Sequence, residues 1–306
     1  MSKLAAVFPG QGSQYVGMGK DLYGQSPAAR ELFERADTIL GFRLSNVCFE
    51  GPEDQLKQTR NTQAAIFVHS IAAWNLLQVK DVAMVAGHSL GEYSALVAAG
   101  ALEFEDALKL VRVRGELMQK AGEENPGTMA AVIGLEPAVV GEVCCTAWKE
   151  GIVQAANFNS PGQIVISGSV TGVRKAMELA KARGARIVKE LVVSGAFHSP
   201  LMQSARDGLR SALEKTRISD TRIPVYTNVT AKPVRKAEEI QTTLEEQLTS
   251  PVRWWESVEN MIADGATAFL EVGPGKVLQG ITKRINGTVS ATGVDRFEDI
   301  EKLLLV

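Results

Sequence analysis

Leu4 to Phe8 is an unbroken apolar run that stops at Pro9-Gly10-Gln11-Gly12. A run this short, bounded by turn residues, predicts a buried strand feeding a loop. Ala29, Leu32, Phe33, Ala36, Ile39 and Leu40 then recur at helical spacing over Pro27–Leu40, with Ser26 placed as N-cap and Gly41 as stop. A second long helix is predicted over Asn61–Gln78. Val82–Ala86 is another short buried strand, followed at once by Gly87-His88-Ser89-Leu90-Gly91 and a further helix. Short buried strands alternating with helices predict a parallel sheet covered on both faces.

The pattern changes at Asn125-Pro126-Gly127. From there it reads strand Thr128–Leu135, helix Pro137–Trp148, strand Ile152–Asn157, strand Gln163–Ser167, helix Val170–Arg183 and strand Ala185–Leu191. That β-α-β-β-α-β order is the split βαβ, ferredoxin-like arrangement. The expected architecture is therefore α/β, with a large domain over 1–125 and 194–306 and a small subdomain inserted at 126–193. The large domain resumes with a helix after Pro200, a strand at Ile223–Thr227, and helices through Gln247 and over Trp254–Ala263. Ala268–Val272 is expected as the last buried strand before Gly273-Pro274-Gly275.

Composition narrows the function classes. Lys and Arg number 33 against 35 Asp and Glu, a formal charge of −2 that offers no general attraction for nucleic acid. A 45% hydrophobic content with so little net charge excludes a disordered chain. Cys144 and Cys145 are adjacent and Cys48 is isolated, so neither an ordinary disulfide nor a C-x-x-C zinc site is expected. Free thiols fit a reducing compartment. Met1–Phe8 holds too short an apolar stretch for a signal peptide. The apolar region Ala83–Leu102 is interrupted by His88, Ser89, Glu92 and Tyr93 and is no membrane span. The expectation is a cytoplasmic protein.

Gly87-His88-Ser89-Leu90-Gly91 is a G-x-S-x-G sequence between a buried strand and a helix, where a tight turn lifts the serine out of the packed layer. The helix N-terminus beneath it supplies N–H donors and a positive dipole end for a developing oxyanion. A serine nucleophile needs a base, and the chain has three histidines. His88 projects away from its neighbour across the turn, and His69 lies in an apolar helical run. His198 remains, in the loop Gly195-Ala196-Phe197-His198-Ser199-Pro200. Between Ser89 and His198 the lone aspartate is Asp106, poorly placed to complete a triad. The histidine is then oriented by a backbone carbonyl or an amide, which sets its tautomer without adding charge. Asn157 and Asn159 either line the cleft between the subdomains or make a turn. Gly10-Gln11-Gly12, Gly17-Met18-Gly19 and Gly275-Lys276 each lack a residue that a nucleotide-binding loop requires.

Phe8-Pro9-Gly10-Gln11-Gly12-Ser13-Gln14, Gly87-His88-Ser89-Leu90-Gly91-Glu92-Tyr93, Gly195-Ala196-Phe197-His198 and Glu271-Val272-Gly273-Pro274-Gly275 together resemble the malonyl-CoA:acyl-carrier-protein transacylase family, in its order and over essentially the whole chain. The resemblance implies a hydrolase-like large parallel-sheet domain with the ferredoxin-like insertion. It implies that Ser89 takes malonyl as an ester and that His198 accepts its proton. Gln247 would orient His198 through its main-chain carbonyl, and the N–H groups of Leu90 and Gln11 would form the oxyanion hole. Arg114, by itself an ordinary helix-surface cation, would bind the malonyl carboxylate with its planar fork. Phe197 would narrow the space beside the acyl α-carbon against methylmalonyl.

The activity so implied is transfer of malonyl from malonyl-CoA to the phosphopantetheine thiol of an acidic acyl carrier protein, feeding fatty-acid synthesis. No metal or redox cofactor is implied, and a monomer is expected. The basic run from Arg174 to Lys189 is either a solvated face or a carrier-docking patch. The alternatives are a discrete acyltransferase of a polyketide pathway, a serine thioesterase, and a catalytically silent binding subunit.

Overall fold

The computed structural model of the chain describes residues 3–77, 79 and 81–304. Its strands are β1 Lys3–Phe8, β2 Val82–Gly87, β3 Gly127–Ile133, β4 Val153–Ser160, β5 Gln163–Ser169, β6 Ile187–Glu190, β7 Val225–Tyr226, β8 Pro233–Val234, β9 Ala266–Val272 and β10 Ser290–Val294. The first sheet runs in the order β10-β9-β1-β2-β7-β8 and is parallel except for β8. The second runs β4-β5-β3-β6, with every pair antiparallel.

The central strand shows why the large sheet is covered twice. Ala6 and Phe8 of β1 join the apolar cluster with Ile66, Phe67 and Leu96. Ala5 and Val7 join the one with Trp254, Val258 and Leu278. Side chains alternate across a strand, so a strand apolar at every position from Leu4 to Phe8 must be sandwiched. The small sheet has its own core, including Val132, Val143, Ile164, Ile166 and Val173.

Two strands were not anticipated from the pattern. Ala266–Val272 is not the last buried strand, because β10 pairs in parallel beside it. Ser290-Ala-Thr-Gly-Val lies at a sheet edge and is only partly buried, so it carries no apolar run. The strand expected over Ile223–Thr227 shortens to β7 and turns back into the two-residue β8. The helix expected at Asn61–Gln78 spans Thr59–Leu76, and Gln78 lies outside the described residues, as do Met1 and Ser2. Asn157 and Asn159 are not turn residues but part of β4, where the register shifts at Ala155/Asn157 and Phe158/Ser160. Irregular strands of this kind re-aim side chains near functional sites.

These connections set the place of the site. Parallel pairing brings the ends of β1 and β2 to one edge, with Phe8 opposite Gly87. The carboxyl edge of an open parallel sheet is where ligands bind. The small sheet is tied to the same edge by Phe158 N–H to Val252 O (2.9 Å) and Val252 N–H to Ala156 O (2.8 Å). Among the described residues, no helix is long and apolar enough to cross a membrane.

Ser26 caps the helix Pro27–Leu40, its Oγ accepting from Ala29 N–H at 3.3 Å, and Gly41 ends it with φ of 73°. Ser26→Ala is expected to cost about 1 kcal/mol, read as a lower urea midpoint with an unchanged slope.

Candidate active site

Ser89 sits at the tip of the turn between β2 and the helix Gly91–Ala98, with φ of 51°. A side chain in the left-handed region is held there only by its surroundings. Asn228, just beyond β7, supplies the splint: Ser89 N–H donates to its Oδ1 (2.6 Å) and its Nδ2 donates to Gly87 O (2.7 Å). Gly87 and Gly91 are demanded by close approach. A Cβ on Gly87 would overlap the Gly91 carbonyl group, and one on Gly91 would overlap the Phe8 carbonyl oxygen.

Ser89 Oγ lies 2.8 Å from His198 Nε2. His198 Nδ1 lies 2.8 Å from the main-chain oxygen of Gln247. A carbonyl can only accept, so Nδ1 carries the proton and Nε2 is the bare acceptor that faces the serine hydroxyl. His198 also has a positive φ, 57°, and its carbonyl accepts from Gln154 Nε2 (2.8 Å) of β4. Burial, reinforced by the Arg114 charge, pushes the imidazole down to about 3.

Arg114 is not a surface cation: it is 1% exposed and reaches the nucleophile. Its Nη2 donates to Ser89 Oγ (3.1 Å) and to Gln247 Oε1 (2.8 Å), and its Nη1 donates to Gln63 Oε1 (2.7 Å). Its guanidinium carbon is 5.7 Å from the centre of the Tyr93 ring. Among the described residues no carboxylate pairs with it, and its Nε has no acceptor. The nearest acid is reached through an amide, since Gln247 Nε2 donates to Glu92 Oε2 (2.9 Å) and to Ser89 O (3.1 Å). Burial pushes Glu92 up to about 7, against the Asn228 amide, Gln247 and the Arg114 charge.

Every site residue expected from the sequence meets at one cavity of about 260 Å³ or its immediate wall. Gln11, Ser89, Leu90, Arg114, Phe197 and His198 line it, with Gln247 behind Arg114 and His198. The backbone amides of Gln11 and Leu90 donate to no protein group among the described residues. Asn157 and Asn159 do face the cleft, and Asn159 Oδ1 lies 2.9 Å from His88 Nε2. His69 is buried elsewhere, 3.2 Å from Asp295. Glu92, Asn228, Gln63 and Gln154 were missed as site residues. Glu92 had a usable signal, being an acid on a short helix that is otherwise mostly apolar, whereas Gln63 closes a polar run at the start of its helix and had none. Among the described residues no cluster of three or more His, Cys, Asp or Glu side chains is placed to hold a metal ion.

Residues 6–297 match the model of the acyl transferase domain. The chain belongs to that family. It is 48% identical over 304 residues to a malonyl CoA-acyl carrier protein transacylase of Bacillus subtilis, covering 98% of this chain and 96% of that protein. A transacylase of the same description from Escherichia coli K12 is 44% identical, covering 96% of each. Among solved acyltransferase structures, an acyl carrier protein S-malonyltransferase from Vibrio cholerae superposes with a TM-score of 0.95 at 43% identity, over 99% of this chain and 100% of that one. A malonyl-transacylase in complex with its type II PKS acyl-carrier protein superposes with a TM-score of 0.96 at 42% identity, over 99% of each chain.

The depressed His198 gives this acyltransferase a pH signature. Below the ordinary histidine value of 6.5 the unfolded chain takes up a proton that the native site refuses. The His198 contribution to stability is thus present above 6.5 and lost as pH falls. Urea unfolding between pH 7.5 and 5 is expected to show a shallower pH slope for His198→Asn than for the parent protein.

Proposed function

We propose that this acyltransferase moves malonyl from malonyl-CoA to the phosphopantetheine thiol of an acyl carrier protein, through an ester on Ser89, and so supplies the extender unit of fatty-acid synthesis. The observation that carries the reading is Arg114, a buried guanidinium bonded to the nucleophile and paired with no carboxylate among the described residues. A buried cation is costly unless an anion meets it, and the free carboxylate of malonyl is the anion that fits.

In the first half-reaction Ser89 Oγ attacks the thioester carbonyl while its proton passes to His198 Nε2. Leu90 and Gln11 N–H groups hold the oxyanion; such a donor is worth roughly 10²–10³ in rate. The C–S bond breaks, CoA leaves with the proton from His198, and the malonyl ester remains. In the second half-reaction the carrier thiol gives its proton to His198 and attacks the ester, and Ser89 Oγ recovers the proton. Gln247 O holds the imidazole in the required tautomer throughout. Arg114 changes partners on the way, from Ser89 Oγ in the free enzyme to the malonyl carboxylate in the ester.

In this reading the enzyme is cytoplasmic, since its free cysteines fit a reducing compartment, and works as a monomer, since one chain supplies every group named. It calls for no metal or redox cofactor, because each proton and acyl movement has a protein or substrate group to make it. Steering of an acidic carrier falls to Lys181, Arg186 and Lys189, because Arg174, Lys175 and Arg183 are engaged with Glu190, Glu178 and Glu142. The likeness to a transacylase that serves a type II PKS carrier keeps a polyketide pathway as the second reading. The chemistry is the same, and discharge by one purified carrier or the other separates them.

Incubation with malonyl-CoA alone should add one malonyl mass to the protein, absent in Ser89→Ala and discharged by carrier protein. Steady malonate release with no adduct would mean a thioesterase. Arg114→Ala should lose about tenfold or more in kcat/KM for malonyl-CoA, and less for acetyl-CoA, which has no carboxylate to hold. Phe197→Ser should raise methylmalonyl turnover relative to malonyl, and an unchanged ratio removes Phe197 as the gate.

A further inference from the structure

Gln247 carries two duties in this site, and both depend on which way its side-chain amide points. Its carbonyl end accepts from Arg114 Nη2, and its NH₂ end donates to Ser89 O and Glu92 Oε2. Turned over, the amide would present N–H groups to the guanidinium, donor against donor, and Arg114 would lose a charged hydrogen bond in a buried place. Something must hold the amide in its working sense. Ser89 O contributes at 3.1 Å, but the closer acceptor is the Glu92 carboxylate at 2.9 Å.

Glu92 is itself tightly constrained. It is the second residue of the helix Gly91–Ala98 and is 1% exposed. The same Oε2 accepts from Asn228 N–H at 3.0 Å, and Asn228 splints the Ser89 turn through its side chain. The start of the helix cannot slide, because Gly91 is pressed against the Phe8 carbonyl. Both bonds fall on one oxygen, so they persist whether or not the other carboxyl oxygen carries a proton. The catalytic steps assign Glu92 nothing, yet it is a buried acid linked to the nucleophile's turn, to Gln247 and, through Gln247, to Arg114 and His198.

We propose that Glu92 is a positioning residue for acyl-group selectivity: as an acceptor of fixed reach it sets the sense of the Gln247 amide, and thereby presents Arg114 to the acyl carboxylate. The proposal rests on the malonyl reading of Arg114. It makes reach and accepting power, rather than negative charge, the property that matters at position 92.

Two conservative variants separate these properties. Glu92→Gln keeps the length and one oxygen acceptor and loses the charge, as a protonated carboxyl does. Glu92→Asp keeps the charge and withdraws the acceptor by one methylene from a helix that cannot follow. The measurement is kcat/KM for Ser89 loading from malonyl-CoA and from acetyl-CoA, with thermal unfolding to confirm folded protein and Arg114→Ala as control. The expected result is that E92Q keeps the malonyl-to-acetyl ratio within about threefold, whatever its overall rate, while E92D loses about tenfold or more of it. The reverse pattern would show that charge is what counts and would overturn the proposal. Equal losses on both acyl groups in both variants would mean a structural role alone, and a ratio preserved in both would mean no role in selectivity; either overturns it. Should Arg114→Ala itself leave the ratio intact, the malonyl reading of Arg114 fails, and the Glu92 assignment falls with it.

Discussion

The interlock between the end of β1 and the Gly87–Gly91 turn is the contact on which the site depends. His88 N–H donates to Phe8 O at 2.9 Å, and Gly91 packs where no Cβ could fit against the same carbonyl. Adjacent parallel strands otherwise end about 4.8 Å apart, with their loops free to diverge. Here the loops are locked edge to edge, which puts the Gln11 and Leu90 amides and the Ser89 hydroxyl on one cavity wall. A left-handed serine is affordable only in such a frame, and Asn228 completes it from the turn just beyond β7.

Charge follows from that geometry. Burying Arg114 without a direct carboxylate partner leaves a guanidinium held by amides and a hydroxyl. A paired Arg–Glu contact would be better satisfied, but it would cancel the charge that the proposed function assigns to the acyl carboxylate. Interposing Gln247 between Arg114 and Glu92 keeps an acid near without a direct ion pair, and leaves the Nη2 bond to Ser89 Oγ as the contact that an incoming anion would replace. The same residue's main chain sets the His198 tautomer, so the binding and proton-transfer parts of the site share one support. That sharing explains how a site can work without a carboxylate on its histidine.

What could be read from the chain beforehand divides along physical lines. Ser89 and His198 were legible because a tight turn demands glycine and because three histidines leave little choice. The order of the small subdomain was legible because its elements are short, periodic and separated by glycine or proline. Gln247 O has no residue signature, since any residue brings a carbonyl, and only the family resemblance pointed to it. Asn228 and Gln154 act through contacts 139 and 44 residues away in sequence, a separation that no local pattern encodes. Asn157 and Asn159 read equally as cleft or turn residues because asparagine favours turns, and the irregular β4 decides it by facing them to the cleft. Burial of Arg114 was equally invisible, because a lone arginine on a helix reads as solvated until the neighbouring helix Thr59–Leu76 is packed over it.

The weak basicity of His198 bears on why the ester would wait for a thiol rather than react with water. Water, whose pKa is about 15.7, asks far more of a base than an alkyl thiol of about 8.5, and burial already makes His198 a weak base in the free enzyme. Ser89 is itself weakly acidic, and in the free enzyme Arg114 Nη2 donates to its Oγ and helps hold it beside His198 Nε2. In the proposed malonyl ester Arg114 would turn to the carboxylate, and a second nucleophile would have His198 alone to take its proton. A thiol, acidic by its own chemistry, loses little by this. Water loses the help it would need, and the Met118, Met129, Val165, Leu191 and Val193 side chains around the cavity give it few partners in return. On the proposed reading, one arginine thus steadies the nucleophile in the resting enzyme and then leaves the ester to the more acidic acceptor.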